Sequence, residues 1–171
     1  MWFRKASDHR EDAPPPEEAG PPGDEERPDA AIRDELGLHQ RWYFVMRLAE
    51  ELERASRRTR CLSIVAWDYR LLPGETVPDA FVRRAAQELA ERVRAYDVVF
   101  HLDDCRFVAL LPDADGTEAR TAAFRIKADL CVAIPGPGKW RAAVAAYPAD
   151  GLDADTLVYT ALERLDEDGT A

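Results

Sequence analysis

Positive charge, cysteine and long apolar runs are all scarce in this chain. Against 33 acidic residues stand only 23 lysines and arginines, for a formal net charge of −10 over 171 residues. Phosphate backbones and anionic lipid headgroups reward a positive surplus, so neither nucleic acid nor a membrane is expected among the partners. The three cysteines, Cys61, Cys105 and Cys131, are odd in number and unclustered. That pattern suits buried thiols in a reducing, cytoplasmic setting better than a disulfide framework or a metal centre, and no cofactor is implied. No run is long enough to span a membrane, and Met1-Trp2-Phe3-Arg4-Lys5 lacks the apolar core of a secretory signal. The chain has apolar residues enough for one ordinary core, with small molecules or proteins as the expected partners.

From Ala6 to about Ala31 the sequence is dense in Pro, Glu, Asp and Gly, including Pro14-Pro15-Pro16 and Pro21-Pro22. Such a segment cannot offset its ordering entropy by burial. Residues 1–32 are therefore expected to form a disordered, acidic, proline-rich tail, and residues 33–171 the folded domain. Trp2 and Phe3, beside two cations, read either as a short docking peptide or simply as the start of that tail.

Apolar residues at Leu38, Trp42, Val45, Leu48, Ala49 and Leu52 predict a helix from Leu36 to about Arg57. Leu62 to Trp67 is a continuous apolar run, as expected of a central strand. Pro78-Asp79 opens a second helix through Val93, and Tyr96 to Pro112 reads as a hairpin with a polar turn. Thr117 to about Val132 predicts a third long helix, Trp140 to Tyr147 a last strand, and Asp153 to Leu165 a closing helix. After the leading helix the order is β-α-β-β-α-β-α. The predicted fold class is thus α+β, a ferredoxin-like, nucleotide-cyclase-type antiparallel sheet (βαββαβ) with helices covering one face.

The hairpin and its surroundings resemble the diguanylate cyclase family, whose hairpin turn reads Gly-Gly-Asp-Glu-Phe. Here the five positions are Asp103-Asp104-Cys105-Arg106-Phe107. Gly37-Leu38-His39-Gln40-Arg41 with Phe44 is similar to that family's opening motif, and Leu62 to Asp68 to its first strand, which ends in a metal-binding aspartate. Ala145 to Gly151 resembles the end of its last strand. In active members, two divalent metals held by first-strand and turn carboxylates activate a GTP hydroxyl. The resemblance makes Asp68 the surviving first ligand, whereas Cys105 and Arg106 put a thiol and a fixed positive charge where a cation belongs. Asp103 and Asp104 replace the glycines that admit the phosphates, and their charges repel them. The loop from Asp68 to Asp79 is short and lacks the residues that read guanine and ribose, and Ala161 to Leu165 lacks the triphosphate lysine. No catalytic residue and no bound metal are therefore expected.

The same resemblance implies one retained site. Many such enzymes bind their product, cyclic di-GMP, through Arg-x-x-Asp just before the hairpin and an arginine from the next helix. Arg94, Asp97 and Arg125 occupy those positions. An arginine fork bonds the acceptor edge of guanine, and a carboxylate accepts from its ring N–H and amino group. Each also has an ordinary role open to it: Arg94 at a helix C-terminus, Asp97 in a turn, Arg125 as a solvated charge. Two functions follow. In one, the domain is a catalytically inactive, diguanylate-cyclase-like receptor or regulatory module for cyclic di-GMP. In the other, it is a protein-interaction scaffold that binds no nucleotide. The protein partner is unspecified, and a homodimer is left open.

Overall fold

The computed structural model describes residues 32–58, 60–72 and 74–167. The tail expected over residues 1–32, including Trp2 and Phe3, falls outside these residues except for Ile32. The elements run α1 (Arg41–Arg58), β1 (Leu62–Arg70), α2 (Asp79–Arg92), β2 (Val98–Asp103), β3 (Arg106–Pro112), α3 (Gly116–Ala133), β4 (Lys139–Tyr147) and α4 (Ala154–Glu167). The four strands form one antiparallel sheet in the order β2-β3-β1-β4.

β1 lies between β3 and β4 and is buried at every position except Arg70. Alternation along a strand sends successive side chains to opposite faces. Leu62, Ile64 and Ala66 join Phe44 and Leu48 of α1 and Leu157, Val158 and Ala161 of α4 in one apolar cluster. Val65, Trp67 and Tyr69 join Val82, Ala85 and Leu89 of α2 and Ala119, Ala123 and Ile126 of α3 in a second. Helices therefore cover both faces, two on each, rather than the single face expected from the sequence. The continuous apolar run of β1 is the physical reason, because a strand without a polar side has no face to give to solvent.

The leading helix begins at Arg41 rather than Leu36. Gly37 has φ 77°, a left-handed conformation that a right-handed helix does not pass through. Asp34 ties this turn together, its Oδ1 accepting from the backbone N–H groups of Leu36 and Leu38 at 2.9 Å each. Leu38 is fully buried, so its apolar character reflects a turn residue plugged into the core and not a helical stripe.

Two features carry the chemistry into place. The β2–β3 hairpin closes through Asp104-Cys105, with Asp104 at φ 41° and a register irregularity between His101 and Asp103. α3 starts on a capping box, Asp115 accepting from the N–H groups of Thr117 and Glu118, and is pinned to the sheet by Trp67 Nε1 donating to the Ala123 carbonyl at 3.1 Å. Arg125 rides on that helix.

Candidate functional site

The residues singled out by sequence gather at the two ends of β2. At one end lies the hairpin turn. Arg106 on β3 and Arg141 on β4 are the register partners of Asp68 on either side, so the three form one row across the sheet. The Asp68 side chain is only 4% exposed. Its Oδ1 accepts from Arg141 Nε at 2.8 Å, and its Oδ2 accepts from Arg141 Nη2 and from Arg70 Nε, the latter at 3.1 Å.

Arg106 does not take the Asp68 carboxylate, contrary to the ion pair that their facing positions suggest. Its Nη2 donates to Asp166 Oδ1 of α4 at 3.2 Å, and its Nε lies 3.9 Å from Asp103 Oδ1. Arg70 reaches the same Asp166 oxygen at 2.7 Å. A carboxylate flanked by arginines on two strands can be held by either, and the presence of Asp166 and Asp103 near Arg106 leaves Asp68 to Arg141. Neither Arg141 nor Asp166 was picked out from the sequence. The signal for Arg141 was present: it is the one charge inside the otherwise apolar stretch from Trp140 to Tyr147, which calls for a buried counter-charge.

Cys105 is 2% exposed and packs in the cluster containing Trp67 and Tyr69. Burial, together with the charges of Asp68 and Asp104, pushes its thiol up to about 12, so it is protonated at neutral pH. Asp103 and Asp104 are exposed. A cleft of about 340 Å³ separates this turn from the β1–α2 loop and is lined by Asp68, Arg70, Thr76, Asp103, Cys105 and Arg106, among others. Among the described residues, no three or more His, Cys, Asp or Glu side chains are grouped so as to hold a metal ion.

At the other end of β2, a tight turn joins it to α2. Asp97 N–H donates to the Arg94 carbonyl at 3.0 Å, and Asp97 Oδ2 accepts from the Arg94 N–H at 2.9 Å. The second oxygen, Oδ1, is buried and has no partner among the described residues. Burial raises the Asp97 carboxyl above its ordinary value, against the lowering pull of the Arg94 N–H and guanidinium. Arg94 itself is exposed, its Nη1 donating to the Tyr96 hydroxyl at 3.2 Å. Arg94, Asp97 and Arg125 line one recess of about 40 Å³, beside Arg92 and Glu118. A second recess, of about 100 Å³, borders Asp97 and Arg94 next to Leu38 and His39. Three residues spaced over 32 positions of sequence thus meet at one place.

A four-stranded antiparallel sheet in this order, with an aspartate near the end of β1 beside a hairpin turn, defines the nucleotide-cyclase class of α+β domain. Within that class, the family model described as diguanylate cyclase, GGDEF domain, matches residues 31–133, and the chain belongs to that family. Membership relates it to cyclic di-GMP signalling. No curated protein matches the chain. Among solved structures it is similar to the GGDEF domain of TpbB (YfiN) from Pseudomonas aeruginosa, at 22% identity and TM-score 0.68, covering 79% of this chain and 87% of that one. The FimX GGDEF domain from the same organism matches at 14% identity and TM-score 0.66, covering 80% and 92%. The coiled coil and GGDEF domain of DgcB from Caulobacter crescentus, solved in complex with c-di-GMP, matches at 15% identity and TM-score 0.63, covering 81% and 78%. These likenesses carry the fold. No helix among the described residues is long and apolar enough to cross a membrane.

Proposed function

We propose that this domain makes no cyclic di-GMP and instead binds it, as a cytoplasmic receptor or regulatory module, through Arg94, Asp97 and Arg125. The observation that carries the binding half is the buried Oδ1 of Asp97, without a partner among the described residues, on a side chain that lines the same recess as Arg94 and Arg125. An unsatisfied buried acceptor is costly, by about 1–3 kcal/mol. Guanine offers a ring N–H and an amino group side by side, which are the donors such an oxygen lacks, while the arginine forks suit its N7 and O6 or the phosphates. The recess is far too small to enclose a dinucleotide, so the ligand lies over the exposed arginines with a guanine edge turned to Asp97.

The inactive half rests on the donor set at the hairpin. Hard divalent cations need several anionic or neutral oxygens in near-octahedral array. Both oxygens of Asp68 are engaged by arginine, Cys105 is a buried neutral thiol, and Arg106 is a permanent cation beside them. These residues do not fit the metals that the family uses. The network of Arg70, Arg106 and Arg141 with Asp68, Asp103 and Asp166 supplies its own charge balance instead.

Titration of the purified protein with cyclic di-GMP tests the reading. Arg94→Ala and Arg125→Ala should each weaken binding by roughly 5- to 150-fold, from about 1–3 kcal/mol per guanine contact. Binding undiminished in both variants would move the ligand off this site. The scaffold reading, in which the exposed Trp42 and Met46 of α1 meet a protein partner, moves to the front when wild-type protein gives neither heat nor a thermal shift at saturating ligand.

A further inference from the structure

We propose that Tyr96 is the base-stacking platform of this site, an inference that rests on the receptor reading above and adds the residue that grips the face of the base. Tyr96 occupies the third position of the Arg94–Asp97 turn. It is 55% exposed and belongs to neither apolar cluster of the sheet. The fold therefore gains little from an aromatic ring there. The turn beneath it is fixed by two bonds between residues 94 and 97, one from backbone to backbone and one through Asp97 Oδ2, so the ring projects from a rigid base.

A planar group already lies beside the ring, bonded to its hydroxyl. The Arg94 guanidinium carbon lies 5.9 Å from its centroid, and Arg94 Nη1 donates to its hydroxyl. Aromatic faces attract flat cations and purine bases alike, and stacking on a base is tolerant of which base it is. A guanine drawn to the Arg94 fork and to Asp97 Oδ1 comes alongside this same ring, because all three groups spring from one four-residue turn. The work is thereby divided: Asp97 reads the guanine edge, Arg94 supplies charge and donors, and Tyr96 takes the face while its hydroxyl keeps the Arg94 fork in place before ligand arrives. Pre-placement of that kind lowers the entropy lost on binding.

Cyclic di-GMP is titrated into wild-type protein, Tyr96→Ala, Tyr96→Phe and Arg94→Ala at one fixed salt concentration, with the Tyr96 ring protons followed by NMR in the wild type. Tyr96→Ala should bind roughly 5- to 150-fold more weakly at an unchanged melting temperature, because stacking carries that much and the side chain is exposed. Tyr96→Phe, which keeps the face and loses only the hydroxyl bond to Arg94, should fall less than Tyr96→Ala. The wild-type Tyr96 ring protons should move upfield on saturation, a ring-current shift that a merely structural tyrosine does not show. Wild-type binding that is weakened in Arg94→Ala, equal to wild type in Tyr96→Ala and accompanied by no shift of these protons overturns the stacking role and leaves the site standing. Absence of wild-type binding overturns the receptor reading and this inference with it.

Discussion

Asp97 uses one carboxylate oxygen on the turn that it caps and keeps the other buried, without a partner among the described residues. Burial raises its folded pKa above the ordinary aspartate value, so the ionised form is disfavoured in the folded chain. Its contribution to stability is accordingly present below the unfolded pKa and lost as pH rises through the folded one. Asp97→Asn retains an oxygen for the Arg94 N–H and removes the buried charge. Thermal melts across the acid range should show this variant no less stable than wild type above that window, while its cyclic di-GMP affinity falls. Guanine donors favour the carboxylate, so wild-type affinity should itself weaken as pH drops through the folded pKa, and binding near that pH should release protons. Titrations in buffers of differing ionisation enthalpy detect that release, and a pH-independent affinity would count against Asp97 as the acceptor. Arg94 and Asp97 were legible because they lie three residues apart in one turn. The buried second oxygen was not, since its burial depends on tertiary packing near a recess that Leu38, Val93 and Val99 also line.

Along the hairpin row, burial separates the two arginines that flank Asp68. Arg141 and Asp68 are both nearly buried, at 11% and 4% side-chain exposure, whereas Asp166, the partner of Arg106, is 52% exposed. Arg141→Ala leaves a desolvated carboxylate with only Arg70 beside it and should cost about 1–3 kcal/mol. Arg106→Ala removes a half-exposed pair and should cost under about 1 kcal/mol. Denaturant midpoints of the two variants check this, and equal losses would contradict it. The start of α1 offers a second measure. A Cβ at Gly37 would meet nothing within 4 Å, so Gly37→Ala reports backbone strain alone, about 1–2 kcal/mol for a left-handed residue. Strand and helix identities were readable from periodicity, and the strand order followed from the βαββαβ plan. Which arginine faces Asp68 was not readable, because register between strands far apart in sequence is set by side-chain packing on both faces. The helix boundary at Leu36 misled for a local reason: a buried turn residue mimics the first position of an amphipathic stripe.

Over the whole molecule, the two ends of β2 differ in how their charged groups are paired. The hairpin end carries an internally balanced arginine and aspartate network, and the opposite end carries an unfilled acceptor between exposed cations. Restoring the turn alone should therefore not restore catalysis. Cys105→Asp with Arg106→Glu leaves Arg141 and Arg70 on Asp68 and leaves the short β1–α2 loop in place. Chromatography of GTP incubated with this variant, or with wild type, in magnesium or manganese should show no cyclic di-GMP, and product from either would contradict the inactive reading. The family was legible from the order and spacing of its motifs, whereas the self-balanced hairpin depends on Asp166, a helix residue nearly one hundred positions from Asp68 in the chain. The most direct measurement of the central claim is a calorimetric titration of the wild-type protein with cyclic di-GMP at fixed ionic strength. Saturable heat that Arg94→Ala and Arg125→Ala diminish is expected; no heat and no thermal shift at saturating ligand would contradict binding at this site.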